Sequence, residues 1–465
     1  MPETRQPHKG IRWVAPTATA VVAFCVVLCA GFGLTRTVVQ AQAGFTRGEA
    51  PGWLEDRDRT EGRGIRLGQL EVHPGIGIEG GYDNNVFFES TESPQSSFLL
   101  RVTPHLYVST LSEERRGQDD SDAEPGEQSS VQFRAGLSAS YFQYFSTQAR
   151  SNVGADADLR LTLGAGRPFS LTLFESFGRT VRPFTELGAV NQDYGRDQNN
   201  AGVELGFGTR GNVFRGNLSY DIGYDYFEGD SFRNATSLEH GIGAGWSWRF
   251  FPQTAFLYDF DVKLTDYPNE SDDGPLLSGN TRLRTRVGVN GALTQRFSLM
   301  AMVGYGVGLY ETGDDYESVV GQLELRFRLS PQVNLSVGYD RDFFRSFVGG
   351  FYLRDQGYAE FQLLGGGSFL LGLRGSVSSL NYGTALDVDG DPLGAEGTSD
   401  RSDIRAAASV FAEYRASDWL GFNATLSYSG LITDWEDTRT VSDVLYLDPA
   451  SYDKVEIWVG ARAFY

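Results

Sequence analysis

Three arginines, Arg282, Arg284 and Arg286, stand at alternate positions in the run TRLRTRV. In an extended chain successive side chains point to opposite faces, so the guanidinium groups form one row and Leu283, Thr285, Val287 and Val289 the other. An earlier segment repeats the spacing with Asp259, Asp261 and Lys263. On neighbouring strands these rows bring opposite charges within pairing range. Exposed to water, they set up a transverse field that orients water and polar solutes. Paired with each other, they reinforce the wall that carries them. Glu324, Arg326, Arg328, Arg374, Arg405 and Glu413 extend the charged face on later segments, and Phe142, Tyr358, Phe411 and Trp458 share its parity. Sugar rings stack their apolar faces on aromatics, so these four are candidates for a carbohydrate track; filling space is the plainer role.

Catalysis finds little to work with. Beyond the amino-terminal region the histidines are His73, His105 and His240, on different segments and without a neighbouring Ser-Asp grouping, so no catalytic residue is assigned. The loop DVDGDPLGAE, 387–396, places Asp387, Asp389 and Asp391 at calcium-loop spacing, but Pro392 occupies the position that needs glycine and Thr398 replaces the closing acid. It fails as an EF-hand, and a solvated loop is the simpler reading. No metal site and no cofactor are expected.

The elements that must carry these rows are strands. In NVGADADLRLTL, 152–163, odd positions are apolar and even positions polar or small, and the same period recurs in VQFRAGLSASY, FRGNLSYDIGY and VGQLELRFRL. Eighteen such segments run from about residue 71 to residue 465, each long enough to cross a bilayer at a tilt. Their connections alternate in length. Short ones fall at 164–168, 210–212, 250–253, 294–296, 330–332, 365–368 and 416–419; long ones include 84–96, 179–198, 227–235, 382–402 and 430–452. Short turns on one side and long loops on the other predict a single all-β, antiparallel, outer-membrane β-barrel of 18 strands, with 16 as the alternative. A soluble sandwich or propeller also alternates, but with shorter strands and without this regular pattern. One connection, 110–130, belongs on the short side yet is long and acidic. Trp246, Trp248 and Trp419 beside short turns, and Tyr141, Tyr226, Tyr305, Tyr339 and Tyr428 near long loops, mark two aromatic girdles.

Arg5, Lys9 and Arg12 precede an apolar run from about Val14 to Leu34, followed by Ala41-Gln42-Ala43. This reads as a secretory signal peptide over 1–43 rather than a retained anchor, with a short periplasmic segment at 44–69 and the barrel over 70–465. Both cysteines, Cys25 and Cys29, lie in the leader, so disulfide and thiol chemistry are excluded from the mature chain. Removing Glu3, Arg5, Lys9, Arg12 and Arg36 with the leader takes away a net +3 and moves the formal charge from -20 to -23, which excludes a nucleic-acid partner.

The stretch GYDNNVFF, 81–88, sets a polar turn beside three apolar residues at the exit of the first strand. Val86, Phe87 and Phe88 are expected to tuck the first loop against the rim or lumen. Tyr82-Asp83-Asn84-Asn85-Val86-Phe87, followed by Arg101-Val102-Thr103-Pro104, resembles the opening of the beta-barrel porin-2 family, whose members start with a similar Y-D-[DN]-N-[VI]-[FY] motif. Some members of that family are associated with exopolysaccharide or capsule secretion. The resemblance implies a channel in the outer membrane of a Gram-negative bacterium for polysaccharide translocation; a general or nutrient-diffusion porin is the alternative, and an outer-membrane hydrolase the rival class. The implied partners are membrane lipid and lipopolysaccharide, the barrel-assembly machinery acting through the carboxyl-terminal strand, and a periplasmic polysaccharide-export protein. On this topology, an epitope inserted at 387–396 is reachable by antibody on intact cells and one inserted at 110–130 is not; labelling with the reverse pattern would invert the orientation.

Overall fold

The computed structural model describes residues 53, 62–89, 94–111, 130–145, 151–182, 195–269, 277–346, 350–384, 401–433, 436–441, 444–449 and 451–465. The leader expected at 1–43, the acidic part of the 110–130 connection and the stretch at 387–396 lie outside them. A short strand, β1 (Ile65–Leu67), pairs with the foot of β2 (Leu70–Asp83). There follow β3 (Ser97–Thr110), β4 (Val131–Tyr144), β5 (Asn152–Leu163), β6 (Phe169–Thr180), β7 (Arg196–Gly208), β8 (Phe214–Phe227) and β9 (Ser237–Phe251). Next come β10 (Thr254–Asp266), β11 (Asn280–Ala292), β12 (Phe297–Tyr310), β13 (Tyr316–Ser330), β14 (Val333–Arg345) and β15 (Phe351–Gly365). The series ends with β16 (Phe369–Tyr382), β17 (Ser402–Ser417), β18 (Leu420–Thr433), a separate hairpin of β19 (Glu436–Val441) and β20 (Val444–Pro449), and β21 (Tyr452–Phe464).

From β2 to β18 each strand pairs antiparallel with the next, β18 pairs with β21, and β21 pairs back onto β2 from Gly75↔Phe464 to Asp83↔Glu456. The result is a closed barrel of 18 strands. In hydrocarbon no water satisfies an open sheet edge, so closure is what permits the sheet to span. Ile78, Leu137, Leu173, Ile222, Val303 and Val377 point outward and are exposed, giving the apolar belt of an outer-membrane barrel. Tyr141, Tyr226, Tyr305, Tyr339 and Tyr428 near the long loops, and Trp248 and Trp419 near the short turns, are exposed as well. The protein is thus placed in the outer membrane of a Gram-negative bacterium.

Three details escape a period-two reading. Residues expected to form loops fold locally, as 3-10 turns at Arg210–Asn212 and Asp230–Ala235 and as the β19–β20 hairpin. Such short pieces carry no periodic signal. Trp53 lies inside the wall: its ring is 5.1 Å from that of His105 on β3, the Arg462 guanidinium of β21 sits 5.0 Å over it, and Gly77 of β2 makes room for it, since a Cβ there would fall 2.5 Å from the indole.

The GYDNNVFF stretch is a latch across the seam. Asp83 Oδ1 accepts the Asn85 N–H (2.9 Å), Asn84 exchanges bonds with the backbone of Val455, and Asn85 Nδ2 donates to the carbonyls of Glu89 and Asp453. Lys454 Nζ donates to Asp83 Oδ2 (2.6 Å) and to the Asn85 carbonyl (2.8 Å). Val86 and Phe87 are buried within the barrel mouth and Phe88 packs edge-on against Tyr452, so the polar turn pins the first loop to the last strand while its aromatics go inward. Asn85→Ala orphans buried backbone groups at this seam and is expected to cost about 2 to 4 kcal/mol. Denaturant titration of the folded barrel in micelles reads this loss; unchanged stability would show that the seam does not need the latch.

Candidate functional site

The inner face is identified by contacts that only an interior permits. Arg345, at the loop end of β14, bonds Asp225 of β8 and Ser237 of β9, with several strands between. Arg196 of β7 holds the same Asp225 through two bonds of 2.6 and 2.5 Å. Arg182, just past β6, pairs with Glu456 of β21 at 2.9 Å. These bridges run across or along the mouth on the long-loop side. Beside them Val86, Phe87, Leu99, Phe142, Tyr144, Phe227, Phe232 and Trp458 form one buried apolar cluster. Its members come from the first loop, β3, β4, β8, the Asp230–Ala235 turn and β21, so it fills part of the mouth.

The arginine row lies on this inner face. Register sets Lys263 opposite Arg282, Asp261 opposite Arg284 and Asp259 opposite Arg286. Arg284 Nε donates to Asp261 at 2.8 Å and Arg286 to Asp259 at 2.8 Å, while Asp342, from β14, bonds Arg284 and lies 4.0 Å from Arg286. The facing cations Lys263 and Arg282 are reconciled by Glu239 of β9, which takes Lys263 at 2.5 Å and also bonds Arg282. Glu239 shares the parity of this face and is readable from sequence once its strand is placed. Asp342 likewise shares the inward parity of β14 with Gly338 and Asp340, but Arg345 does not: Asp342 and Phe343 are both buried, although parity would separate them.

The remaining candidates do not join this network. Glu324 pairs with Arg326 and accepts the Tyr358 hydroxyl at 2.6 Å. Tyr358 lies flat across Gly338, where a Cβ would fall 2.2 Å from the ring. Arg374 pairs with Glu360 at 3.4 Å, Arg328 stands exposed opposite Asn334, and Phe411 is half-buried between Gly372 and Thr425. Trp458 and Phe142 are only 3 % and 0 % exposed, with Arg101 stacked 4.3 Å over Trp458 and held by Glu79 at 2.7 Å. Glu413 is shared by Arg415 and the fully buried Arg462, at 2.7 Å each.

No family model matches the chain, and no curated protein does. Solved structures similar to it include the outer membrane protein opdK from Pseudomonas aeruginosa, at 10 % identity over 85 % of this chain and 99 % of that one, with a TM-score of 0.44. OccK11 (OpdR) from Pseudomonas aeruginosa gives 13 %, 85 % and 96 %, with a TM-score of 0.41. The FrpB iron transporter from Neisseria meningitidis, F5-1 variant, apoprotein form, gives 9 %, 87 % and 82 %, with a TM-score of 0.44. Scores of this size bear on neither cargo nor mechanism.

The histidines stay apart: His73 faces Glu71 at 3.2 Å, His105 faces Trp53, and His240 accepts or donates to Tyr220 on the outer face. Among the described residues no three His, Cys, Asp or Glu side chains converge as metal ligands. The ion-pair geometry separates two classes of arginine. Arg284→Gln abandons two carboxylates in a largely enclosed network and is expected to cost about 2 to 4 kcal/mol, whereas Arg374→Gln in its open pair costs under about 1 kcal/mol. Unfolding titrations of the two variants test this; equal losses would show that the Arg284 network is as solvent-screened as the Arg374 pair.

Proposed function

We propose that the chain is an outer-membrane channel for small polar solutes, with a water-filled passage bounded by the inner face of the barrel. One observation carries this reading: charged side chains on the inner face remain open to solvent, with Arg326 58 %, Arg374 68 % and Glu360 48 % exposed. A packed interior would not leave them so. Barrels of about 16 to 18 strands generally keep an aqueous interior, which agrees. The Arg282 to Arg286 row, matched by Asp259, Asp261 and Glu239, reinforces the wall at the passage's edge, and the Arg345–Asp225 bridge marks its narrow section. Among the described residues the three histidines stay apart, and we infer a non-enzymatic barrel.

The polysaccharide-export reading is weaker. It leans on the resemblance of Tyr82 to Phe87 to the beta-barrel porin-2 family and on inner aromatics as a sugar track. Phe142 and Trp458 are buried in the apolar cluster, which leaves Tyr358 and Phe411 with partial exposure on the inner face. A periplasmic export partner belongs with that weaker reading. The apolar belt is the surface for membrane lipid and lipopolysaccharide, and the alternating β21 strand, with Tyr465 just past its end, is the segment we expect the barrel-assembly machinery to engage.

The test is conductance. Purified barrel in planar bilayers is expected to give discrete current steps in potassium chloride, and breaking the mouth bridge with Arg345→Ala is expected to enlarge each step. A heat-modifiable, folded barrel that passes no current would contradict the channel reading.

A further inference from the structure

We propose that the periplasmic half of the inner wall is an anion-binding surface, seated on Arg134 and Arg160, for small solutes that carry carboxylate or phosphate; the inference rests on the barrel being a channel. Short connections mark the periplasmic end. Near it, and on the inner face, stand Arg134 of β4, Arg160 of β5, Arg215 of β8, Arg326 and Arg328 of β13, and Arg374 of β16, all exposed. Arg326 is matched by Glu324 and Arg374 by Glu360. Arg134, Arg160, Arg215 and Arg328 form no ion pair among the described residues. The chain as a whole carries a formal charge of -20, so this excess of cations is local and runs against composition.

Register adds an independent sign. Arg134 and Arg160 are direct cross-strand partners. Like charges placed opposite each other repel, and that repulsion is relieved when one anion bridges both. Their surroundings suit such a ligand. Ser109 of β3 lies opposite Arg134 on its other side, and the Arg160 guanidinium is 5.8 Å from the centroid of the Phe174 ring, which backs it from β6. By register the nearest carboxylate on β5 is Asp158, opposite Gly136, and Glu204 of β7 is half-buried further round. Guanidinium forks match carboxylate and phosphate oxygens two at a time, and rings of basic side chains favour anions in pores.

Two measurements on the detergent-purified full barrel decide the matter, with Arg134→Gln/Arg160→Gln as the variant. In planar bilayers across a potassium chloride gradient, the reversal potential is expected to show chloride preference, and the double variant to reduce it. By calorimetry with inorganic phosphate as probe, binding is expected to weaken about tenfold in the variant, as for loss of a charge-assisted contact. Conductance without any arginine-dependent phosphate binding or chloride preference would overturn the inference and leave the channel standing. Arginine-dependent phosphate binding without conductance would remove the channel and keep the anion site. Both exchanges fall at exposed positions, and heat-modifiable mobility verifies that the variant barrel is folded.

Discussion

Hydrocarbon offers no hydrogen-bond partner, so every backbone amide and carbonyl within the membrane must be satisfied by the chain itself. That demand determines the rest of this molecule. The last strand must return to the first, and β21 does so along β2 from Gly75 to Asp83. At this seam the polar turn Asp83-Asn84-Asn85 and Lys454 concentrate their bonds. The latch replaces ladder hydrogen bonds, which end at Asp83, with side-chain bonds that continue the join into the first loop.

Closure also divides the side chains into two environments with opposite requirements. Outward positions must be apolar; inward positions are free to carry charge, provided that each charge meets water or a partner. Both solutions occur, at different heights. On the long-loop side charges are enclosed and paired, as in Arg196–Asp225–Arg345, and share the mouth with an apolar cluster. Towards the short turns the inner arginines of β4, β5, β8, β13 and β16 are open, whereas Arg415 and Arg462 stay tied to Glu413. A wall that is tied at one end and hydrated at the other suits a passage with a defined narrow section and a wide, charged vestibule.

Most of this was legible because period two is a strong signal over strands of 12 to 16 residues. The segment at 152–163 coincides with β5, and the parity that puts Leu283 and Val287 outward puts Arg282, Arg284 and Arg286 inward. What parity cannot convey is contact between strands that are not neighbours. Arg345 and Asp225 meet across strands that are not neighbours, and nothing in the run RDFFR announces that Asp342 and Phe343 are both buried. Short elements were equally silent: Asp230–Ala235 delivers Phe232 to the cluster from a stretch that reads as loop, and Trp53 enters the barrel from a segment that reads as a polar linker. The cross-strand meeting of Arg134 and Arg160 depends on the register of β4 against β5, which composition does not set.

The two faces of each strand see different media, water within and lipid without. Both native cysteines, at 25 and 29, precede the barrel, so with these replaced by serine a single reporter thiol can be placed on either face of β16. A charged, water-soluble thiosulfonate applied to the barrel in lipid vesicles is predicted to modify Ser376→Cys, on the inner face, rapidly and Val377→Cys, its outward neighbour, far more slowly. Equal reactivity at the two positions, or faster reaction at 377, would show that water does not line the inner face while lipid covers the outer one.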